Sequence, residues 1–328
     1  MIWNLHGLII EGLTNDATLE QSWRTSFGSL PERTAVPGIT HDIVIRIDIY
    51  ETIPAPPAAD PHFRQGELLH YYIEGDNVVA HFPRFGQLQL DLAQGRTEGR
   101  VVAAVLHTYG VLEDLIAISL SPHLRRRGLF LAHAFAAAHK GKAVLLVGGI
   151  GAGKTTTGMA LLNAGWQLLS NDSPIIGRLP NDAGKRPGSP MVMQYPGVLA
   201  AYPETFARFP ATHSLAKRLP QKDGRQKITV PAEKIWPGVW LDAAPVGAII
   251  FPQIEQRPDH RLDPCRPTEA LTRLMPHAIE QWDKAMIPGH LALLRQLVES
   301  APAFILRLGP DVPAIPDLLR SALEGEHG

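Results

Sequence analysis

The most informative stretch of the sequence is Gly148-Gly149-Ile150-Gly151-Ala152-Gly153-Lys154-Thr155, which matches the pattern GxxxxGK[ST] at every fixed position. The apolar run 143–147 before it predicts a buried strand. Residues 155–163 after it have helical spacing, and Gly165 is a natural helix terminator. Glycines let successive backbone N–H groups turn inward around an anion, and the positive N-terminus of the following helix adds to that attraction. The stretch therefore predicts a phosphate-binding loop in an α/β domain.

The polar side chains of this loop have predicted tasks. Lys154 brings a positive charge to the terminal phosphates, and Thr155 offers a hydroxyl to Mg²⁺. We therefore expect ATP and Mg²⁺ as ligands. The predicted nucleotide-binding residues are Gly148, Gly149, Ile150, Gly151, Ala152, Gly153, Lys154, Thr155 and Thr156. ATPases, GTPases and small-molecule kinases share this loop, so the loop alone does not name a reaction.

An acidic residue follows the loop at an unusually short distance. The short apolar run 166–170 predicts a second buried strand, and Asn171-Asp172 ends it only 17 residues after Thr155. Asp172 is therefore the predicted second residue at the metal, beside Thr155.

The segment 165–172 resembles the acidic segment that follows the phosphate loop in HPr kinase/phosphorylase, and His133 falls where that family has its active-site histidine. The resemblance covers about residues 129–320. It is closest to HPr-kinase-like proteins, some of which phosphorylate serine in lasso-peptide precursors. It implies a phosphoenolpyruvate-carboxykinase-like P-loop kinase domain in which Asp172, His133 and Lys154 are catalytic. It further implies transfer of the γ-phosphoryl group to a hydroxyl, with serine of a peptide or small protein as the acceptor, and a homo-oligomer.

Two departures from that family bear on the function. The family has two adjacent aspartates where this chain has Asn171-Asp172, and an asparagine cannot accept a proton. The glycine-rich signature segment of HPr kinase/phosphorylases is not found at 186–199, so neither phosphorylase activity nor HPr as substrate is expected. The alternatives to a serine kinase are a regulatory module that only binds nucleotide, and a P-loop kinase of a small-molecule hydroxyl.

The first 122 residues predict a smaller, β-rich α+β domain ahead of the nucleotide-binding domain 123–328. Their β-branched and alternating segments predict strands at 43–50, 69–73, 78–82 and 87–92. Residues 101–120 have helical spacing and are expected to close this domain. In the second domain a further strand is predicted at 245–251, and helices at 267–275 and 289–299.

Charge and composition argue against several classes of partner. The chain has 31 Lys and Arg against 32 Asp and Glu, so no positive field gathers nucleic acid or an anionic membrane. The best candidate for a membrane span, 101–120, is interrupted by His107, Glu113 and Asp114. Cys265 is the only cysteine, which excludes an intrachain disulfide. Because the N-terminus also lacks a secretory signal pattern, the expected location is the cytoplasm.

The remaining candidates have simpler interpretations. We interpret Arg125-Arg126-Arg127 as a solvent-exposed domain boundary, with a phosphate or nucleic-acid patch as the alternative. His133 and His139 lack a third ligand nearby, so no zinc site is predicted. Trp236, Trp240 and Trp282 are expected in the core. The basic stretch 208–227 is expected to be a solvated loop with at least one cation at nucleotide or substrate; its cations are Arg208, Lys217, Arg218, Lys222, Arg225 and Lys227.

Overall fold

The computed structural model describes residues 1–33, 40–178, 189–218, 227–255 and 258–325. They form two compact units. Unit 1 consists of Met1–Arg127 and Glu280–Met286, and unit 2 consists of Gly128–Ile279 and Ile287–Gly328. Unit 1 therefore continues beyond the predicted boundary at residue 122, as far as Arg127, and also includes a short segment from far along the chain.

Unit 1 is built on an eight-stranded sheet with the order β1-β2-β3-β8-β7-β6-β5-β4. The strands are β1 (Ile2–Leu5), β2 (Leu8–Leu13), β3 (Ile43–Tyr50), β4 (Phe63–Gln65), β5 (Leu69–Glu74), β6 (Asn77–Phe82), β7 (Gly86–Asp91) and β8 (Arg96–Val102). Strand β3 is parallel to β2 and β8, and the other neighbours are antiparallel. The predicted strand at 43–50, the hairpin at 69–82 and the strand at 87–92 are confirmed.

Two helices accompany this sheet, α1 (Ala17–Ser26) and α2 (Val111–Arg125). The predicted helix at 101–120 is only partly correct. Val101 and Val102 end β8, where they pair with β3, and the helix begins after the left-handed Gly110 (φ +80°). Ladder hydrogen bonds to two neighbouring strands decide the structure at 101–102, although the apolar spacing there also fits a helix.

Buried side chains hold the segment Glu280–Met286 in unit 1. Asp283 accepts a hydrogen bond of 2.8 Å from Nε of Arg125. The Trp282 ring stacks on Tyr71 with ring centroids 4.5 Å apart, and the Arg125 guanidinium lies 4.9 Å from the centroid of the Trp282 ring. The expected burial of Trp282 is thus confirmed, within unit 1.

The interpretation of the three consecutive arginines as a solvent-exposed boundary is wrong for Arg125. Helix α2 continues to this residue, and its side chain is 4% exposed because it pairs with Asp283. Arg126 donates to the same carboxylate at 2.9 Å, and Arg127 donates to the carbonyl of Asp42 at 2.7 Å. These arginines therefore hold unit 1 together.

Unit 2 contains a nine-stranded sheet and a two-stranded one. The strands are β9 (Phe130–Leu131), β10 (Ala134–His139), β11 (Lys142–Val147), β12 (Gln167–Ser170), β13 (Ile175–Gly177), β14 (Met191–Met193), β15 (Leu199–Ala201), β16 (Ile228–Val230), β17 (Ala243–Ile254), β18 (Arg261–Cys265) and β19 (Ala303–Leu308). The main order is β12-β10-β11-β17-β14-β13-β9, with β19 pairing β17 and β18; β15 pairs β16. The predicted strands at 143–147, 166–170 and 245–251 are confirmed.

Three strands of the larger sheet are parallel: β11, β17 and β19. Their carboxyl ends therefore lie at one edge of the sheet, where ligands bind in open α/β folds. The helices of unit 2 are α3 (Lys154–Asn163), α4 (Pro203–Phe206), α5 (Pro210–Arg218), α6 (Pro267–Leu274), α7 (Ile287–Ser300) and α8 (Ile315–Glu324). The predicted helices at 155–163, 267–275 and 289–299 are confirmed. None of the helices that the structure describes is long and apolar enough to cross a membrane.

The hydrophobic core of unit 2 lies between this sheet and its helices. Phe135, Leu146 and Leu161 are fully buried there, and Trp236 and Trp240 pack against the core while remaining partly exposed. The prediction that Trp236 and Trp240 lie in the core is therefore confirmed only in part.

Candidate phosphate-binding site

The predicted phosphate-binding loop joins β11 to α3. The strand ends at Val147, and the helix begins at Lys154 with the left-handed Gly153 (φ +97°) as its N-cap. Gly151 is also left-handed (φ +81°). A Cβ atom at Gly153 would lie 2.6 Å from Cδ1 of Leu308, so this position excludes a side chain by space as well as by φ. The structure therefore has the strand, glycine turn and helix that the pattern predicts.

The Lys154 ammonium lies inside the loop. It donates hydrogen bonds to Nε2 of His133 at 3.1 Å, to the carbonyl of Gly149 at 3.2 Å and to the carbonyl of Gly148. An ammonium has three N–H donors, and these three acceptors match that number. The whole residue is only 8% exposed. The loop thus surrounds one fixed positive charge.

His133 and Asp172 meet because of the strand order. His133 directly precedes β10, and Asp172 follows β12; these two strands are antiparallel neighbours, so both residues lie at the same edge of the sheet. The backbone N–H of Ala134 donates to the carbonyl of Asp172 at 2.9 Å, which fixes the two segments to each other. Nδ1 of His133 lies 3.3 Å from Oδ1 of Asp172. The three residues predicted as catalytic therefore form one line, Asp172–His133–Lys154.

A second histidine, His277, lies beside this line, and no sequence pattern singles it out. Its carbonyl accepts a hydrogen bond of 2.6 Å from the backbone N–H of His133, and the two ring centroids are 6.2 Å apart. Burial lowers the pKa of His277, and the positive charge of a protonated His133 and of Lys154 lowers it further. It is the last residue of the 3₁₀ turn Met275–His277, which follows α6, and tertiary packing alone brings it to the site.

Asn171 is turned away from the line. Its Nδ2 donates to the carbonyl of Val198 at 3.1 Å. The amide therefore ties the segment after β12 to the segment before β15, and the adjacent Asp172 is the carboxylate that faces His133.

Lys227 and Arg208 add positive charge near the loop. Burial lowers the pKa of Lys154; the carboxylate of Asp172 opposes this shift, and the charge of Lys227 adds to it. Lys227 also lies 5.9 Å from the ring centroid of Tyr202. Arg208 lines a cavity next to the loop. Of the other predicted cations, Lys217 and Arg218 belong to α5, so the loop expected at 208–227 is in part a helix. Lys222 and Arg225 lie outside the described residues. The same holds for residues 186–188 of the segment 186–199.

The oxygen donors at the site fit magnesium. Thr155 offers a hydroxyl from the first turn of α3, and the side chain of Asp172 is 57% exposed. Magnesium is commonly held by one or two protein oxygen donors together with substrate phosphates. Among the described residues no group of three or more His, Cys, Asp or Glu is arranged to hold a metal ion. Thr155 and Asp172 are therefore the residues that would hold Mg²⁺.

His139, at the other end of β10, is remote from this chemistry. Its ring stacks on Trp166 with centroids 5.0 Å apart, and burial lowers the pKa of His139. It does not join the line that contains His133.

Comparison with known proteins gives a limited result. No family model and no curated protein matches the chain. Among solved structures it is similar to the HPr(Ser) kinase/phosphatase from Coxiella burnetii, at 11% identity and a TM-score of 0.29, over 60% of this chain and 95% of that chain. At these values the structural similarity carries no functional argument.

Proposed function

We propose that the chain transfers the terminal phosphoryl group of a nucleoside triphosphate to a hydroxyl. The observation that carries this proposal is the line Asp172–His133–Lys154 at the N-terminus of α3, in which Lys154 donates a hydrogen bond to His133 and Nδ1 of His133 lies 3.3 Å from Oδ1 of Asp172. It combines a cation for phosphate oxygens with a carboxylate that can accept a proton, and phosphoryl transfer uses both. The same proposal includes an HPr-kinase-like catalytic domain, which the resemblance at 165–172 supports.

On the donor side, the loop and the first turn of α3 bind phosphate. Lys154 is now bonded to neutral carbonyls of Gly148 and Gly149. Charged phosphate oxygens are stronger acceptors than carbonyls, so they would take over these hydrogen bonds. The positive end of α3 adds its dipole at the same place.

On the acceptor side, Asp172 is the proton acceptor. The acceptor oxygen bonds to the terminal phosphorus as the bond from that phosphorus to the bridging oxygen breaks, and the hydroxyl proton passes to the Asp172 carboxylate. His133 acts through Asp172: its Nδ1 faces one carboxylate oxygen and so orients the other toward the acceptor. His133 is therefore a positioning residue in this proposal.

Thr155 and Asp172 would hold Mg²⁺ between them and the phosphates. When bound, the ion offsets the charge on the transferring phosphoryl group. Asp172 then serves both the metal and the acceptor, because Asn171 is committed to the Val198 carbonyl.

The proposed acceptor is a serine hydroxyl of a peptide or small protein. The resemblance to HPr-kinase-like proteins supports this choice. A small-molecule alcohol is the alternative acceptor for the same chemistry.

Single-turnover incubation with Mg²⁺ and [γ-³²P]ATP tests the proposal. Serine peptides and small alcohols are supplied as acceptors in separate reactions. Water is present as an acceptor in all of them. Asp172→Asn should lower ATP affinity far less than transfer, because the glycine loop, Lys154 and Thr155 still hold the phosphates; transfer should fall by about 10²- to 10⁴-fold, the usual range for a lost proton acceptor. Lys154→Ala should lose ATP affinity. Glu204→Gln neutralises an exposed carboxylate on α4 and should leave transfer unchanged.

Tight ATP binding without transfer to any acceptor or to water would contradict the proposal. It would favour the rival function, a module that binds nucleotide for regulation, which Asn171 in place of an aspartate would then explain.

A further inference from the structure

A cavity of about 590 Å³ opens beside the phosphate-binding loop within unit 2. It lies beyond the carboxyl ends of the parallel strands β17 and β19, next to the start of α3. Its volume is within the roughly 300–1,000 Å³ that small-molecule and cofactor sites occupy. Its lining residues include Gly153, Thr156, Thr157, Arg208, Ile254 and Leu308.

The walls of this cavity are mostly aliphatic. Ile254, the last residue of β17, is 67% exposed, which is unusual for so large an apolar side chain at a strand end. Leu308, the last residue of β19, lies beside it against Gly153. Two apolar side chains thus form a surface that begins where the glycine loop ends.

The polar side chains that line the cavity are Thr156, Thr157, Arg208 and Glu255, and the Glu255 carboxylate is paired with Arg307. The hydroxyl of Thr157 is buried and has no hydrogen-bond partner among the described residues. Arg208 has an exposed side chain with a planar guanidinium, a group that stacks well on aromatic rings. A ligand with both a flat ring and hydroxyl groups matches this combination.

The cavity does not include the catalytic line. Lys154, His133 and Asp172 are absent from the cavity lining, whereas Thr156 and Thr157, which follow Thr155 on α3, belong to it. A triphosphate that crosses the loop with its terminal phosphate at Lys154 therefore has its other end at the cavity.

We infer that this cavity holds the nucleobase and ribose of the phosphoryl donor. The base lies against Ile254 and Leu308, with Arg208 as the stacking cation. This inference rests on the proposed function and adds where the base and ribose of its nucleoside triphosphate bind. It makes Ile254 and Arg208 determinants of donor affinity.

Calorimetry with two ligands tests this inference: Mg·ATP, and Mg·tripolyphosphate, which has three phosphates and no base. Ile254→Asn should lower ATP affinity about tenfold, because it removes one large apolar contact to the base that is partly shared with solvent. The affinity for tripolyphosphate should stay within about twofold. Leu291→Asn is the matched control, because Leu291 is 38% exposed on α7 and lies outside the cavity; neither affinity should change.

An equal loss for both ligands, or no loss of ATP affinity in Ile254→Asn, would overturn the inference and leave the proposed function intact. If the unsubstituted protein bound neither ligand, the proposed function would fail, and this inference with it. Thermal melting of both variants serves as the check that each retains its fold.

Discussion

The ammonium nitrogen of Lys154 lies 3.1 Å from Nε2 of His133. A lysine ammonium can only donate, so Nε2 of His133 must accept, and the proton of the neutral ring is on Nδ1. That Nδ1 faces the carboxylate of Asp172 at 3.3 Å. One imidazole therefore joins a cation to an anion, with its tautomer set by both neighbours.

Replacing His133 tests this bridge. His133→Gln should lower the rate of phosphoryl transfer about 10- to 100-fold, in line with residues that orient another reacting group. The affinity for Mg·ATP should change much less, because the glycine loop and Lys154 remain. Single-turnover rates and binding constants measured side by side separate the two effects.

The matched control is His139→Gln, on the same strand β10 but stacked on Trp166. It should leave the transfer rate unchanged. Equal losses in the two variants would mean that β10 has been disturbed and that the bridge has no special part.

Introducing an aspartate at position 171 should lower the stability of the protein and should not raise the rate of phosphoryl transfer. Asn171→Asp removes the N–H donor to the Val198 carbonyl and places a carboxylate against that oxygen. We expect a loss of about 1–3 kcal/mol in the free energy of unfolding, measured by urea denaturation. Asn163→Asp, at the exposed end of α3, should cost less than about 1 kcal/mol. A gain in transfer rate for Asn171→Asp would show that position 171 takes part in proton transfer.

The buried carboxylate of Asp283 should be one of the costliest side chains to remove from unit 1. Asp283→Ala leaves Arg125 and Arg126 without their shared acceptor, and breaking a buried ion pair from one side costs about 3–5 kcal/mol. Hydrogen exchange followed by mass spectrometry reports the loss within unit 1. Asp317→Ala removes an exposed partner of Arg320 and should cost about 0–1 kcal/mol. Similar small effects in both variants would contradict the claim that the segment Glu280–Met286 stabilises unit 1 through Asp283.

Acid should destabilise unit 1 through His123. Burial, reinforced by Arg127 and Arg126, lowers the pKa of His123 to about 4 from its ordinary 6.5. Between pH 6.5 and 4 the unfolded chain binds a proton that the folded chain does not, so stability falls as pH falls through this window. At about 1.36 kcal/mol per pKa unit the loss is roughly 3 kcal/mol.

Urea denaturation at pH 7 and pH 4.5 measures this loss. His123→Gln should show a smaller fall in stability between the two pH values, because its amide does not titrate and can still donate to Thr97, as Nε2 of His123 does at 2.8 Å. The same fall in both proteins would assign the acid sensitivity to other groups.

The sequence predicts the phosphate loop and its neighbours well because each signal there is local. Glycines at 151 and 153 are needed for left-handed backbone, and the apolar runs around them are long enough to identify a strand and a helix. The same reasoning fails for Arg125, which pairs with a carboxylate 158 residues away. It also misses His277, which reaches the site only through tertiary packing. Long-range partners of this kind leave no periodic pattern along the chain.

The segment Glu280–Met286 has a consequence for how the protein is made. During translation, Trp282 and Asp283 are synthesised only after the phosphate loop and most of its sheet. A nascent chain that stops at Arg127 would leave the Tyr71 ring without its stacking partner and the Arg125 guanidinium without its carboxylate. Unit 1 is therefore completed late in translation. Recombination that cuts the gene once, between Arg127 and Gly128, would separate unit 1 from its own segment Glu280–Met286.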